Sequence, residues 1–164
     1  MILKQILKRR SIRDYKVKPV PEEDILDLLR AAYFAPSALN NKSIEFIVIK
    51  DQKIKEQLYS SIGKGFIDKA PLLIIPVIDI QKTICPVQDL SVASENIFLQ
   101  AEALGLGSVW KNIPEDKRDQ VKKILGMPKN FLAINLIPVG FAKTQKEPHN
   151  INDFDSKRIH LGKW

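Results

Sequence analysis

The chain has 164 residues, 45% of them apolar, which is enough for one domain with its own core and too many for a disordered protein. Its formal charge of +7 attracts anions in general, but no Cys/His finger and no basic helix interleaved with aromatic residues is present, so nucleic-acid binding is a weak hypothesis. With one cysteine and two histidines, the chain cannot form an internal disulfide and lacks a transition-metal ligand set. The apolar runs are too short for a signal peptide or a membrane span, so we expect a cytoplasmic protein that borrows a cofactor for difficult chemistry.

Apolar periodicity predicts three helices and one strand in the first half of the chain. They are a short helix over residues 2–8, a helix from Pro21 to about Ala35, a strand over Ile44–Ile49 and a helix over Asp51–Ile62. We expect the apolar side chains of the first helix to face inward, namely Ile2, Leu3, Ile6 and Leu7.

The second half contains the longest periodic segment, a helix over Asp89–Leu104 that is apolar on so much of its surface that we expect it to be buried, as the spine of a dimer. The other predicted elements are a buried strand over residues 72–78, an extended segment over 108–110, a charged helix over 114–125 and a final strand over 131–139. Pro76 predicts a bulge or an edge position in its strand.

The order of these elements lacks the strict alternation of a doubly wound sheet and favours an α+β sandwich that forms a single domain over residues 1–164. No Gly-x-Gly-x-x-Gly sequence follows a strand, which argues against a dinucleotide fold.

Three of the six arginines lie within Arg9-Arg10-Ser11-Ile12-Arg13, whereas the twenty lysines are scattered along the chain. Arginine donates planar, bidentate hydrogen bonds to phosphate oxygens, so this cluster is a candidate phosphate site. A solvated basic end of the first helix is an alternative, since cations are favoured at a helix C-terminus.

Four short segments occur in order along the chain: residues 9–13, residues 35–40 (Ala-Pro-Ser-Ala-Leu-Asn), residues 103–110 (Ala-Leu-Gly-Leu-Gly-Ser-Val-Trp) and Arg158-Ile159-His160 with Trp164. Together, at these separations, they resemble the nitroreductase family of FMN-dependent flavoproteins in its short single-domain form. The resemblance extends over nearly the whole chain.

The resemblance implies an α+β sandwich, with a central, mostly antiparallel sheet flanked by helices, in a homodimer that holds FMN at the subunit interface. It also implies a ping-pong mechanism in which NADH or NADPH reduces the flavin and a small-molecule acceptor, such as a nitro compound or a quinone, then takes the electrons. No catalytic side chain is expected, because the flavin carries the chemistry. Neither nucleic acid nor a membrane is an expected partner.

The same resemblance places Arg9, Arg10 and Ser11 at the phosphate and ribityl chain, and Arg13 near the pyrimidine edge of the flavin. A cation at that edge stabilises the reduced, anionic flavin and raises its potential. A surface pair with Asp14 or another acid is the alternative for Arg13.

In the second segment Pro36, Ser37 and Asn40 match the family loop that contacts the flavin from the partner subunit. The chain then departs from the family pattern, since Asn41-Lys42-Ser43-Ile44 replaces a spacer followed by Gln-Pro-Trp. This departure puts the rigidity of the loop in doubt more than flavin binding. Lys42 either adds a cation near the flavin or is solvated surface.

Two further assignments rest on the resemblance. Asn112 and Ile113 match the turn whose backbone lies over the flavin N5 side, although the family's glycine is absent. His149 occupies the position of a phosphate-binding arginine, with Lys146 and Arg158 as substitutes.

Within this interpretation the chain is an FMN-dependent NAD(P)H oxidoreductase, and its sequence selects neither the acceptor nor the nucleotide. The alternative is a flavin-binding protein that stores or senses redox state without efficient turnover.

Overall fold

The computed structural model describes residues 1–63 and 65–164, and in them the chain forms five α-helices and six β-strands. The helices are α1 (Lys4–Lys8), α2 (Glu22–Tyr33), α3 (Gln52–Ile62), α4 (Pro86–Ala103) and α5 (Arg118–Leu125). The strands are β1 (Ile44–Ile49), β2 (Leu72–Asp79), β3 (Gly107–Ser108), β4 (Lys111–Asn112), β5 (Phe131–Leu132) and β6 (Asn135–Gly140).

All six strands belong to antiparallel ladders. The main order is β1-β2-β6-β3, while β5 pairs with the C-terminal end of β2 and β4 pairs with β6. The prediction of an α+β fold with a mostly antiparallel sheet is therefore confirmed.

The central strand, β2, is buried along its whole length and contributes side chains to a separate hydrophobic core on each face of the sheet. Leu73 and Ile75 pack in the core that contains Leu58 of α3 and Val121 of α5. Residues 72 and 74 pack in the other core, with side chains of α2 and α4 such as Leu28 and Ile97. Because side chains alternate along a strand, this burial requires helices on both faces of the sheet.

The predicted edge position for Pro76 is wrong, but the pairing beside it is irregular, as predicted for a bulge, because residues 75–77 of β2 stand opposite the four residues 133–136 between its ladders with β6 and β5. β2 lies inside the sheet, and its register with β1 runs through the Phe46–Pro76 pair without interruption. On the other side of β2, pairing with β6 extends to Ile74, and pairing with β5 begins at Ile78. Pro76 lies in the gap between these two ladders, which accommodates a residue without an N–H group.

The single strand predicted over residues 131–139 is divided into β5 and β6. The intervening Ala133 and Ile134 are buried, as are the residues of β6 that follow, so the apolar run continues through the break. Burial is what a continuous apolar run indicates, and it does not reveal where the pairing partner changes.

The prediction that α1 faces inward is wrong for the single chain. Ile2, Leu3 and Ile6 are each at least 44% exposed, and none of the helix residues is buried. Periodicity identifies an apolar side on a helix but not the surface that covers it.

The other two differences concern helix ends. Helix α4 begins at Pro86, before the predicted Asp89, because proline is well suited to the first helical position. The predicted helix over 114–125 begins as a 3₁₀ turn, Glu115–Lys117, and becomes α-helical at Arg118.

Candidate functional site

The basic segment, residues 9–13, is held against the edge of the sheet. Ser11 forms an isolated parallel bridge with Ser108 of β3, and the Ile12 N–H donates to the Ser108 carbonyl at 3.0 Å. Farther along, Tyr15 forms a bridge with Ala142, just beyond β6. These backbone hydrogen bonds hold the segment in place independently of any ligand that its side chains bind.

Two glycines after α4 make this docking possible. Gly105, with a φ of 71°, ends the helix in the left-handed conformation that glycine favours. A Cβ atom on Gly107 would lie 2.7 Å from the Cβ of Ile12, so a larger residue would push the basic segment away from β3. Ile12 is buried at this contact, whereas Arg13 is exposed, so the two neighbouring side chains face core and solvent respectively.

Tyr15 attaches the end of the segment to the core. Its buried hydroxyl donates to the Ile12 carbonyl at 2.6 Å and lies 3.2 Å from the Pro138 carbonyl. Burial raises the pKa of this hydroxyl well above its usual value, against the smaller lowering effect of Arg13, so the group stays a neutral donor.

The basic segment contacts side chains and backbone from distant parts of the chain. Arg9 Nε lies 3.6 Å from Glu95 Oε1 on α4, Arg10 donates to the Glu147 carbonyl, and Lys146 Nζ donates to the Ser11 carbonyl at 2.8 Å. A cavity of about 450 Å³ opens beside them, and its lining includes Lys8, Arg10, Glu102, Gly105, Gly107 and Lys146. The arrangement suits a phosphate group.

Arg13 does not form the predicted alternative pair with Asp14. Asp14 Oδ1 instead lies 3.0 Å from Lys143 Nζ, and within residues 1–63 and 65–164 no carboxylate comes within 4 Å of the Arg13 guanidinium. The Arg13 Cζ atom lies 5.7 Å from the centre of the Phe66 ring, a cation–π contact that the sequence did not reveal.

The loop formed by residues 36–43 has an unusual backbone. Leu39, Asn40 and Lys42 have φ values of 54°, 52° and 49°, in the left-handed region that non-glycine residues seldom adopt. Ser37 Oγ accepts a hydrogen bond from the Lys42 N–H at 3.2 Å, and the side chains of Pro36 and Asn40 are exposed. Lys42 Nζ lies 5.4 Å from the centre of the Tyr33 ring.

The two residues predicted to contact the flavin N5 side differ in environment. Asn112 is exposed in β4, opposite Asn135, whereas Ile113 is buried and its N–H donates to the Ile134 carbonyl at 2.9 Å. The Ile113 N–H therefore already donates a hydrogen bond within the protein, and Asn112 is the accessible member of the pair. Both assignments stay predictions.

Of the three candidates for completing the phosphate site, Lys146 is the one in contact with the basic segment. The backbone N–H of His149 donates to the Leu7 carbonyl at 2.8 Å, which holds the tail beside α1, and its side chain is exposed. Arg158 lies in an exposed 3₁₀ turn, Ser156–Arg158. Each of these roles remains a prediction.

The basic segment and the loop contact different parts of α4 in the single chain. The loop is bonded to Asp89, whereas Arg9 of the basic segment lies beside Glu95 and the cavity next to this segment reaches Glu102. At a rise of about 1.5 Å per residue, Glu95 and Glu102 lie about 9 Å and about 20 Å from Asp89 along the helix axis.

Large apolar side chains are exposed around this region. They lie on α1, on the outer side of α4 and in the tail, where residues 143–164 are all exposed. They include Ile2, Leu3, Ile6, Val87, Val92, Ile151, Phe154, Ile159, Leu161 and Trp164. Where such side chains form a contiguous patch, they mark an interaction surface.

Within residues 1–63 and 65–164, no helix is long and apolar enough to cross a membrane. The same residues contain no group of three or more His, Cys, Asp or Glu side chains placed to hold a metal ion.

The family model described as "Nitroreductase family" matches the chain over residues 6–71 and 61–141. This chain belongs to the nitroreductase family. The family predicted from the sequence is thereby confirmed.

Three similar proteins agree with the family assignment. An Archaeoglobus fulgidus protein, provisionally named NADH dehydrogenase/NAD(P)H nitroreductase, is 35% identical over 99% of this chain and 98% of its own length. A Thermus thermophilus NADH dehydrogenase is 33% identical, with 87% of each chain covered. The solved structure of an FMN-dependent nitroreductase from Clostridium difficile is 32% identical, covers 98% of each chain and has a TM-score of 0.91.

We expect Tyr15→Phe to lower the free energy of unfolding by about 1–2 kcal/mol, because the Ile12 carbonyl loses its buried hydroxyl donor. The measurement is urea unfolding of the cofactor-free protein. Tyr59→Phe is the matched control, since Tyr59 is 38% exposed on α3 and should change stability little. Equal stability of the two variants would show that the Tyr15 hydroxyl does not fasten the basic segment.

Proposed function

We propose that the protein is an FMN-dependent NAD(P)H oxidoreductase that reduces nitro compounds, quinones or similar small acceptors by a ping-pong mechanism. Membership of the nitroreductase family and the names of the similar proteins support this enzyme class. The observation that carries the proposal is that three cations, Lys8, Arg10 and Lys146, line one cavity at the edge of the sheet.

The residues beside this cavity fit the phosphate of FMN. Lys8, Arg10 and Lys146 line it with positive charge, and Gly105, where a Cβ would meet no atom within 4 Å, leaves backbone open to close approach. Arg9 is held by a single ion pair 3.6 Å long, with both side chains partly exposed, so its guanidinium can turn to a phosphate at little energetic cost. Glu102 also lines the cavity, and it would be expected to lie away from a bound dianion.

When bound, FMN supplies the hydride and electron transfer chemistry. The protein's part is to bind the phosphate, orient the ring and set the charge near it. Arg13 is the proposed cation at the pyrimidine edge, and Phe66 restricts the positions its guanidinium can take. Pro36, Ser37 and Asn40 are proposed to approach the ring from the other subunit, with Asn112 near its N5 side.

We also propose that the working unit is a homodimer of single-domain chains of 1–164. The exposed apolar side chains of α1, α4 and the tail support it, because a second copy would remove them from water. The separation of the basic segment and the loop supports it as well. One flavin would then contact the basic segment of one chain and the loop of the other.

A flavin-binding storage or sensing protein without efficient turnover is the second candidate, favoured by the departures from the family pattern at Lys42–Ile44 and at His149. The contact between Lys146 and Ser11 adds a cation beside the basic segment, which supports flavin binding in either candidate.

We expect the purified protein to be yellow and to contain about one FMN per chain, with FAD a poor substitute because its pyrophosphate and adenosine require additional room. The measurements are the absorption spectrum with identification of the released flavin, and stopped-flow reduction by NADH and by NADPH without oxygen. A colourless protein that does not take up added FMN contradicts the proposal. A loaded flavin that neither nucleotide reduces would favour the storage or sensing function.

We expect Arg13→Gln to lower the two-electron potential of bound FMN by about 30 mV, which corresponds to about 1.4 kcal/mol, because a cation near the anionic reduced flavin is lost. The potential is measured by equilibration with a reference dye. Arg30→Gln is the control, since exposed Arg30 pairs with Asp27 on α2 and should leave the potential unchanged. If the folded, loaded Arg13→Gln protein also keeps its potential, Arg13 lies elsewhere.

A further inference from the structure

Asp89 is a buried carboxylate with an unusual set of partners. It is 3% exposed and lies in the first turn of α4. Its Oδ1 accepts a hydrogen bond from the Ala38 N–H at 2.8 Å, and its Oδ2 accepts one from the Thr83 hydroxyl at 2.6 Å. In the part of the chain that the structure describes, no Lys, Arg or His nitrogen lies within 4 Å of it.

Burying a carboxylate is unfavourable unless its oxygens are well bonded. Asp89 meets this condition with two charge-assisted hydrogen bonds and with the positive end of the α4 dipole. Neither bond is needed to build α4 itself, because both donors lie outside the helix. The carboxylate therefore connects the start of α4 to two other segments, one of which is the loop of residues 36–43.

The loop needs such an attachment because its backbone conformation is costly. Three of its non-glycine residues, Leu39, Asn40 and Lys42, are left-handed, and such residues persist only where their surroundings fix them. The Ala38 N–H bond to Asp89 acts directly before the first of these residues. A second attachment, from Asn41 Nδ2 to the Lys82 carbonyl at 3.0 Å, joins the loop to the same side of the molecule.

We propose that Asp89 is a positioning residue that fixes loop 36–43, and thereby sets where Ser37 and Asn40 meet the flavin. This inference rests on the proposed function for the identity of the ligand, but the effect of Asp89 on the loop does not depend on it. In the proposed dimer, Asp89 of one chain acts on the flavin whose phosphate is bound by the other chain. Thr83 supports the role by orienting the carboxylate through Oδ2.

The first test compares FMN affinity in Asp89→Ala, Asp89→Asn and Ser94→Ala. We expect Asp89→Ala to weaken FMN binding about tenfold, which is about 1.4 kcal/mol. Asp89→Asn keeps an acceptor for the Ala38 N–H and should restore most of the affinity. Ser94 is fully buried on the same helix and bonds to Leu90 and Asn135, away from the loop, so Ser94→Ala controls for general destabilisation.

Wild-type affinity in the folded Asp89→Ala protein overturns the proposal, and so does an equal loss in Ser94→Ala. If Asp89→Ala does not fold, Thr83→Val replaces it, because this change removes the Oδ2 donor, along with the acceptor of the Cys85 N–H, and leaves the Ala38 bond in place. We expect Thr83→Val to weaken FMN binding about threefold, and unchanged binding overturns the proposal.

The second test is amide hydrogen exchange on the flavin-free protein, and it separates this inference from the proposed function. Amides of Ala38–Lys42 should exchange at least tenfold faster in Asp89→Ala, or in Thr83→Val if that variant is used, than in Ser94→Ala. Equal exchange rates show that Asp89 does not fix the loop, whether or not FMN binds. If the wild-type protein does not bind FMN but the loop amides respond as expected, the proposed function fails and the role of Asp89 in fixing the loop stands.

Discussion

The pairing of β2 with strands on both of its sides is the constraint from which the rest of the structure follows. Because all eight of its residues are buried, each face of the sheet must be covered by helices, α3 and α5 on one side and α2 and α4 on the other. The β6–β3 edge is then left for residues 9–16, which dock there through backbone bonds and the hydroxyl of Tyr15. The position of the cations thus depends on the sheet more than on the cations' own interactions.

The cations of the proposed site have weak partners that a ligand could replace. The Arg9–Glu95 pair is long and partly exposed, so it contributes little to stability, and Arg13 faces an aromatic ring instead of a carboxylate. The loop beside the first turn of α4 is organised differently, by a buried carboxylate and a strained backbone. A group of cations and a fixed loop suit the two ends of a cofactor that has a phosphate at one end and a ring at the other.

Helices α2 and α3 and strands β1 and β2 were predictable, because each has a clear apolar period or a continuous apolar run. Periodicity does not encode which strands pair or which surfaces pack together. It therefore could not predict the exposure of α1, the division of residues 131–139 into two strands or the position of Pro76 inside the sheet. The arginine cluster was visible because it is contiguous. Contacts such as the one between Lys146 and Ser11 could not be predicted, because they join residues that are far apart in the sequence. The contact of Asp89 with the loop could not be predicted either. An acid in the first turn of a helix is already explained by its favourable interaction with the helix dipole, so it does not indicate a further role.

The central claim is that one flavin site is built from two copies of the chain, and subunit exchange tests it most directly. Arg9→Ala/Arg10→Ala and Asn40→Ala chains are mixed, exchange is confirmed by mass spectrometry, and FMN-dependent oxidation of the preferred nicotinamide is measured. Random exchange makes about a quarter of the sites free of substitutions, so the mixture should recover activity that both parents lack. Confirmed exchange without recovery would show that each site lies within a single chain.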